Sequence, residues 1–311
     1  MQNDLQNGLV VRVTGGEFRV DIGGQTVSCH LRGKVRRKGY AGIVAGDHVC
    51  VEVPEREDGS ATIESVSERT SWLARYIERE ARERVIVANI ERLFVVAAIK
   101  SPPVHTDFID RVLVSAEHGS VRACLIINKI DLSTPDEVNE VASVYRKCGY
   151  EVLTTDALTG DGVSEVVEML GKGVYAFVGE SGVGKSSLLM SIDPLLEIRV
   201  REIGEKTGRG RHTTTTSELY AFKNGFLADT PGVQTFGFAG EDKLRLPDCF
   251  LEFRAHTECR FSPCAHSHEP GCAVKGALEA GMISRRRYDS YLKILTEVEE
   301  RAKRKRWQKK G

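Results

Sequence analysis

The stretch VYAFVGESGVGKSSLLMSI, residues 174–192, joins an apolar run to a glycine-rich loop and then to a helical pattern. The loop, residues 179–186, fits GxxxxGK[ST] and has the strand before it and the helix after it that this pattern requires. Glycines there let consecutive backbone N–H groups surround phosphate oxygens at the positive end of a helix. The stretch predicts a phosphate-binding loop in an α/β domain, and its flanking elements disfavour a chance glycine-rich turn.

The loop also supplies the expected contacts to the phosphates and their metal ion. Lys185 is expected to reach the β- and γ-phosphates and to act in catalysis, and the Ser186 hydroxyl to bind Mg²⁺. The predicted loop contacts are Gly179, Glu180, Ser181, Gly182, Val183, Gly184, Lys185, Ser186 and Ser187.

A second phosphate-side motif, DTPG at 229–232, follows the strand-like run GFLA. We expect Asp229 to bind Mg²⁺ through water and the Gly232 N–H to contact the γ-phosphate. The alternative is an ordinary turn, which the position of the motif at a strand end disfavours.

The base-reading motif lies upstream, in LIINKIDL at 125–132. Guanine presents two parallel donors, which a carboxylate accepts together. We expect Asp131 to be that acceptor, Asn128 to bond the base edge and brace the phosphate loop, and the Lys129 stem to cover the base. The tetrad ends a buried strand, where open α/β sheets bind ligands. The loop TTDALTGDG at 154–162 is predicted to back the base, with Asp156 and Ala157 replacing the usual Ser-Ala.

The order of these motifs is a circular permutation of the usual GTPase order, because the base reader precedes the phosphate loop. Such a re-ordering leaves a site intact where the old termini were close and a linker joins them. Between the phosphate loop and DTPG lies EKTGRGRHTTTTSEL, residues 205–219, a predicted switch loop. Thr214 is expected to close onto Mg²⁺ and the γ-phosphate only with GTP bound. A flexible surface loop is the alternative.

The water-positioning residue is not at its usual place. Many GTPases carry a Gln directly after DTPG, but this chain has Val233, whose apolar side chain cannot orient water. His212, beside the threonine run, is our candidate catalytic residue, against the alternative of an ordinary surface histidine.

Soft metal ligands cluster in the C-terminal part as Cys-x₄-Cys-x-His-x₅-Cys. Three thiolates and an imidazole suit tetrahedral Zn²⁺, and a closed Cys₃His set is structural. The metal would substitute for a core that so short a segment cannot build. The predicted ligands are Cys259, Cys264, His266 and Cys272; nearby competitors are Cys249, His256 and His268. Reduced cysteines scattered in a loop are the alternative.

Compositional shifts divide the chain into segments. Residues 1–68 have short alternating runs and glycine pairs typical of a small β-barrel or sandwich. Residues 69–84 are charged and are predicted to be a linker. Residues 85–238 alternate strand and helix signals, which predicts a parallel α/β domain. Residues 239–311 hold the Cys/His cluster and a basic helical tail.

Charge and cysteine content constrain location and partners. The 44 basic and 44 acidic residues balance, but basic clusters occur around residues 32–38 and 301–310. These clusters indicate either docking on a polyanion or a solvated surface. The polar start, the absence of a membrane-length apolar run and eight cysteines without a secretory signal predict a soluble, cytoplasmic chain with reduced thiols.

The combination of NKID before GESGVGKSS, GRGRHTTT, DTPG and CRFSPCAHSHEPGC resembles the circularly permuted, small-subunit-dependent GTPases of the RsgA family. The resemblance implies an OB-fold at the N-terminus, GTP hydrolysis stimulated by the 30S subunit, contact with 16S rRNA and one structural zinc. It supports His212 as the water-positioning residue and the four ligands named above. We expect a monomer with Mg²⁺ and GTP, in which ordering after DTPG reorients the zinc segment.

Two other functions remain open on the residues alone. One is an RNA-binding assembly module with a vestigial nucleotide site, which the intact Lys185, Ser186 and Asp229 disfavour. The other is a small-molecule kinase with the same phosphate loop, which NKID and the absence of an acceptor-pocket motif disfavour.

Overall fold

The computed structural model contains an N-terminal barrel, a central α/β domain and a C-terminal segment. It describes residues 4–33, 42–53, 61–77, 80, 82–196, 218–229, 238 and 243–308. The predicted site residues His212, Thr214 and Gly232 lie outside these ranges, as do the basic residues at 34–38.

The N-terminal unit is a closed barrel. Its strands run in the order β1-β2-β3-β5-β4 with β4 returning to β1, and every pairing is antiparallel except β3 with β5. Gly15 and Gly16 close the first hairpin at φ of +59° and +89°, as a tight turn between twisted strands requires. This arrangement confirms the predicted OB-type barrel. The strands are β1 (Asp4–Thr14), β2 (Glu17–Ile22), β3 (Gln25–Leu31), β4 (His48–Val53) and β5 (Ala61–Val66).

The stretch 69–84, predicted to be a linker, instead contributes to a β-hairpin. Strands β6 (Trp72–Ile77) and β7 (Arg82–Ala88) pair antiparallel as a separate two-stranded sheet. Leu73 and Val87 are fully buried, whereas Arg82 and Arg84 are exposed. The charges that suggested a linker therefore belong to the solvent side of two half-buried strands.

The central domain is built on a mostly parallel sheet in the order β10-β9-β8-β11-β13-β12. Only β12 runs antiparallel to its neighbour β13. This order confirms the α/β architecture predicted from the continuous apolar runs. The strands are β8 (Ile90–Ala98), β9 (Ala123–Asn128), β10 (Glu151–Thr155), β11 (Val174–Val178), β12 (Glu218–Phe222) and β13 (Gly225–Asp229).

Helices cover both faces of this sheet, so its strands are apolar on both sides. In β8, Leu93 and Val95 join one hydrophobic core, and Phe94 and Val96 join the other. Helices α1 and α2 pack on the first face, and α3 and α4 on the second. The helices are α1 (Thr106–His118), α2 (Pro135–Lys147), α3 (Val163–Glu168) and α4 (Lys185–Ile192).

The barrel and the central sheet are joined along one edge. Strand β1 pairs with β12 at Arg12 and Glu218, which also form an ion pair at 3.2 Å. A second contact joins the barrel unit to the end of β7 at Gly46, where a Cβ atom would lie 2.0 Å from the Ala88 carbonyl oxygen. The Asn89 amide donates to the Gly46 carbonyl oxygen at 2.8 Å. Glycine is required at position 46 because the two backbones touch there.

The C-terminal segment packs its own core of aromatic and aliphatic side chains, including Phe250 and Tyr291. Its elements are the 3₁₀ turns Lys243–Arg245, Pro247–Cys249 and Leu251–Phe253, helix α5 (Ala273–Glu279) and helix α6 (Arg285–Gln308). Helix α6 carries the basic tail that the sequence predicted to be helical. Within the described ranges, no helix has the length and apolar character needed to cross a membrane.

Candidate nucleotide site and metal centre

The predicted nucleotide-binding motifs all follow parallel strands at their carboxyl ends. Asn128 ends β9, Thr155 ends β10, the phosphate loop follows β11, and Asp229 ends β13. Because these strands are parallel and adjacent, their carboxyl ends meet at one edge of the sheet. The re-ordered chain therefore brings the motifs together at one edge, as a permuted GTPase requires.

Two glycines of the phosphate loop are fixed by close neighbours. A Cβ atom on Gly179 would lie 2.4 Å from the Val96 carbonyl oxygen. Gly184 has φ of +85°, and a Cβ atom there would lie 2.3 Å from Asn128 Nδ2. Helix α4 begins at the next residue, Lys185, so the loop leads directly into the positive end of a helix.

Asn128 connects the phosphate loop to the base-backing loop. Its Nδ2 donates to the Val183 carbonyl oxygen at 3.0 Å, and its Oδ1 accepts from Thr155 Oγ1 at 2.9 Å and the Ala157 N–H at 3.2 Å. The side chain is almost fully buried, so these bonds are shielded from water. The brace predicted for Asn128 is present. Thr155 was missed because a threonine inside a strand gives no motif.

Lys129 and Asp131 lie at the mouth of the site. Lys129 adopts a left-handed conformation, and its Nζ donates to the carbonyl oxygens of Ser101 at 2.8 Å and Gly182 at 2.6 Å. Its stem thus lies along the phosphate loop, and its contact with a base stays a prediction. Asp131 is exposed in the turn Ile130–Leu132.

Asp156 organises the base-backing loop. Its carboxylate accepts from the Leu158 N–H at 2.9 Å and from Thr159 Oγ1 at 2.8 Å. The Leu158 N–H bond is the main cause of its lowered pKa. The carboxylate therefore makes the local bonds that a short hydroxyl side chain makes in such turns, and contact between Asp156 and a nucleotide stays a prediction.

His105 is a further residue at this edge that the motifs did not identify. Its Nδ1 lies 2.8 Å from Glu180 Oε1 of the phosphate loop. It precedes helix α1 by one residue, in a connection whose sequence, SPPVH, matches no binding pattern.

The four predicted metal ligands come together in the C-terminal segment. The ligand atoms of Cys259, Cys264, His266 and Cys272 all lie within 4.8 Å of one another. His266 Nδ1 is 3.5 Å from Cys259 Sγ and 3.3 Å from Cys272 Sγ. The competitor Cys249 points to the Arg245 carbonyl oxygen and stands outside the group. Three sulfurs and one imidazole nitrogen at this spacing form a donor set able to hold a metal ion.

Hydrogen bonds from neighbouring groups hold the ligand loop. The Ala273 N–H donates to Cys259 Sγ at 3.3 Å, and the Tyr288 hydroxyl donates to the His266 carbonyl oxygen at 2.7 Å. The Glu269 carboxylate accepts from the N–H groups of Ala265 at 2.9 Å and Ser267 at 3.0 Å. Burial would raise the pKa of Glu269, but these N–H groups lower it to about 2. Such partners orient the ligands of a metal site.

The chain matches known proteins over nearly its whole length. Residues 66–239 match the family model described as RsgA GTPase, and residues 7–61 match the RsgA N-terminal domain. It is 38% identical to the small ribosomal subunit biogenesis GTPase RsgA of Chlorobaculum tepidum, covering 94% of this chain and 98% of that protein. The corresponding protein of Clostridium perfringens is 37% identical, with 94% and 97% covered.

Two solved structures resemble this one over similar lengths. The crystal structure of YjeQ from Thermotoga maritima gives a TM-score of 0.73 at 34% identity, covering 95% of this chain and 99% of that one. YloQ, described as a circularly permuted GTPase, gives 0.75 at 26% identity, with 96% of each chain covered.

Proposed function

The chain belongs to the RsgA family of GTPases, and from this premise we propose that it hydrolyses GTP to GDP and phosphate while assisting late maturation of the small ribosomal subunit. The observation that carries the proposal is the buried Asn128 amide, which bonds both the phosphate loop and the base-backing loop. One side chain thereby fixes the spacing between the guanine-reading and phosphate-binding parts of a single site.

Guanine recognition is assigned to the mouth of the site. Asp131 accepts the two parallel donors of guanine, and adenine lacks that pair. The Lys129 stem, whose Nζ donates to the Gly182 carbonyl oxygen, covers the base, and Asn128 holds the base-backing loop beside it by accepting from the Ala157 N–H. The phosphates lie against the loop N–H groups and Lys185, which neutralise charge that spreads over the oxygens during transfer.

Magnesium is expected with GTP. Ser186, in the first turn of α4, is assigned as a direct ligand together with Thr214, and Asp229 as a ligand through water. When bound, Mg²⁺ would neutralise negative charge on the β- and γ-phosphate oxygens. We assign His212 the role of orienting the attacking water. His212→Ala is therefore expected to leave GTP affinity unchanged and to lower turnover by about 100-fold or more, measured by phosphate release.

The Cys₃His cluster is assigned one structural zinc ion. A closed set of four protein ligands leaves no open coordination position for substrate or water. The four side chains hold the ion, and the ion holds the loop 259–272 against helix α6.

Contact with rRNA is assigned to the barrel and the basic tail. Arg32 is already paired with Glu52 and Glu64 in the barrel, so the proposed barrel contacts are the basic residues at 34–38. Lys303 and Arg304 are exposed near the end of α6. Phosphate contacts of this kind weaken as salt rises. A cytoplasmic monomer remains our expectation.

A GTPase assay with and without purified 30S subunits tests the function. We expect phosphate release to be stimulated by subunits and abolished in Lys185→Ala in both conditions. Subunit binding without hydrolysis by the unaltered protein would favour the RNA-binding module with a vestigial nucleotide site. Hydrolysis that subunits do not change would contradict the ribosomal role and leave the GTPase assignment standing.

A further inference from the structure

Helix α1 is shared between two hydrophobic cores. Ile109, Val112 and Leu113 belong to the core of the central sheet. Val114, on the same helix, belongs to the core of the C-terminal segment with Phe250 and Tyr291. The C-terminal segment therefore packs directly on α1, and a displacement of the helix must displace one of its two neighbours or both.

A buried charged cluster fixes that packing. Arg287 of α6 has no exposed side-chain surface and bonds Asp110 of α1 at 2.7 Å and Glu252 at 2.7 Å. The Tyr145 hydroxyl donates to the same Asp110 oxygen at 3.0 Å, and the guanidinium lies 4.7 Å from the centroid of the Phe250 ring. Burial would lower the pKa of Arg287, but Asp110 and Glu252 raise it well above its usual value. A separation of α1 from α6 would break the Asp110–Arg287 pair and leave the Asp110 carboxylate without its cation.

Two further ion pairs, one exposed and one half-buried, continue the same contact along the helix. Asp107 pairs with Lys293 at 2.6 Å, and Arg111 donates to Glu297 at 2.7 Å. The two α1 residues lie on either side of Asp110 in sequence, so polar contacts to α6 follow one face of α1.

The connection that leads into α1 contacts the phosphate loop. Lys129 Nζ links the carbonyl oxygens of Ser101 and Gly182, and His105 Nδ1 lies 2.8 Å from Glu180 Oε1. Pro102 lies beside Gly182, with 3.6 Å between its Cδ and a Cβ atom built on that glycine. His105 is followed at once by the helix, so a movement of the phosphate loop pushes on the helix N-terminus.

We propose that helix α1 carries the state of the phosphate loop to the C-terminal segment, with His105 as its positioning residue at the nucleotide side. The inference rests on the proposed function for the nucleotide concerned. This route differs from the one through the chain after DTPG, because it runs along helix α1 and through the side-chain contacts at its two ends. His105 and Asp110 are separated by about 7.5 Å along the helix axis, at about 1.5 Å per residue.

Linkage makes the proposal testable without ribosomes. If α1 couples the two regions, then loss of an α1–α6 contact must change nucleotide affinity by the same factor by which the nucleotide changes the stability of that contact. The experiment measures the dissociation constants of GDP and of a non-hydrolysable GTP analogue for the full chain, and their ratio is the readout. Glu297→Gln weakens the contact to α1. Its matched control is Glu299→Gln, which removes a similarly exposed α6 pair with Lys243 that does not involve α1.

We expect Glu297→Gln to change the ratio by about 3-fold or more and Glu299→Gln to leave it unchanged. In a His105→Ala background the Glu297→Gln effect should disappear, and His105→Gln, which keeps a donor for Glu180, should restore part of it. Equal ratios for the two glutamate variants, or an effect that survives His105→Ala, would overturn the proposal. A chain that binds neither nucleotide would overturn the proposed function itself, and this inference with it.

Discussion

The nucleotide edge of the sheet and the C-terminal segment are held by different means. At the nucleotide edge, backbone atoms and glycines set the geometry, and a single amide, Asn128, connects the two loops. In the C-terminal segment, side chains set the geometry, through the four predicted metal ligands and the buried charge of Arg287. The first region tolerates re-ordering of the chain because each motif is positioned by the strand end that it follows. The second combines a Cys/His group within fourteen residues with an ion pair between Asp110 and Arg287, which are far apart in sequence.

Gly184→Ala is the strongest test of the backbone-built region. The new Cβ atom would lie 2.3 Å from Asn128 Nδ2, at φ of +85°. Such strain costs of order 1–3 kcal/mol, and displacement of Asn128 adds to it. We expect nucleotide affinity, measured with a fluorescent GDP analogue, to fall by about 100-fold.

Gly16→Ala is the matched control, because Gly16 has φ of +89° with no atom within 4 Å of its added Cβ. The Gly16→Ala variant should lose only the stability that a positive φ costs an alanine, and its nucleotide affinity should stay normal. Normal affinity in Gly184→Ala would mean that the close approach to Asn128 does not shape the site.

Arg287→Met tests the side-chain-built region. The change keeps much of the volume but leaves Asp110 and Glu252 buried without their cation. Removal of one partner from a buried ion pair costs about 3–5 kcal/mol. Urea denaturation, followed by tyrosine and tryptophan fluorescence, should report that loss.

Lys293→Met is its control on the same helix, since Lys293 pairs with Asp107 on the surface. Exposed pairs contribute about 0–1 kcal/mol. Equal destabilisation by the two methionine variants would show that burial of the Arg287 cluster does not fix the segment.

Glu269→Gln is expected to have the smallest effect. It weakens the bonds from the Ala265 and Ser267 N–H groups and should cost about 1 kcal/mol at neutral pH, as the loss of a helix cap does. The pKa of Glu269 is lowered from 4.5 to about 2. The stability that the ionised Glu269 carboxylate adds to the folded state is therefore complete above pH 4.5, and it is lost as the pH falls toward 2.

The readout is the difference in stability between the Gln variant and the unaltered chain at each pH. Both proteins have the same metal ligands, so protonation of those ligands affects both alike. A difference that grows on acidification would contradict the assignment.

Sequence reasoning succeeded where consecutive residues carry the constraint. The stretch 174–192 has the predicted strand, loop and helix, and the four predicted metal ligands come together as their spacing indicated. It failed for the hairpin β6–β7, because charges on a half-buried strand resemble a linker. It also could not identify the role of Arg287, which lies in a run of three arginines whose first member is largely exposed. Burial of such a residue depends on tertiary partners.

The central claim is that NKID, displaced in the chain, still reads guanine at one assembled site. Asp131→Asn tests it, because a carboxamide N–H faces the position where guanine has an amino donor and xanthine a carbonyl acceptor. Affinities for GTP and xanthosine triphosphate should be measured with the unaltered chain and this variant. We predict a reversal of preference, with GTP affinity lowered by about 100-fold and xanthosine triphosphate bound more tightly than GTP. An unchanged preference for GTP would contradict the account.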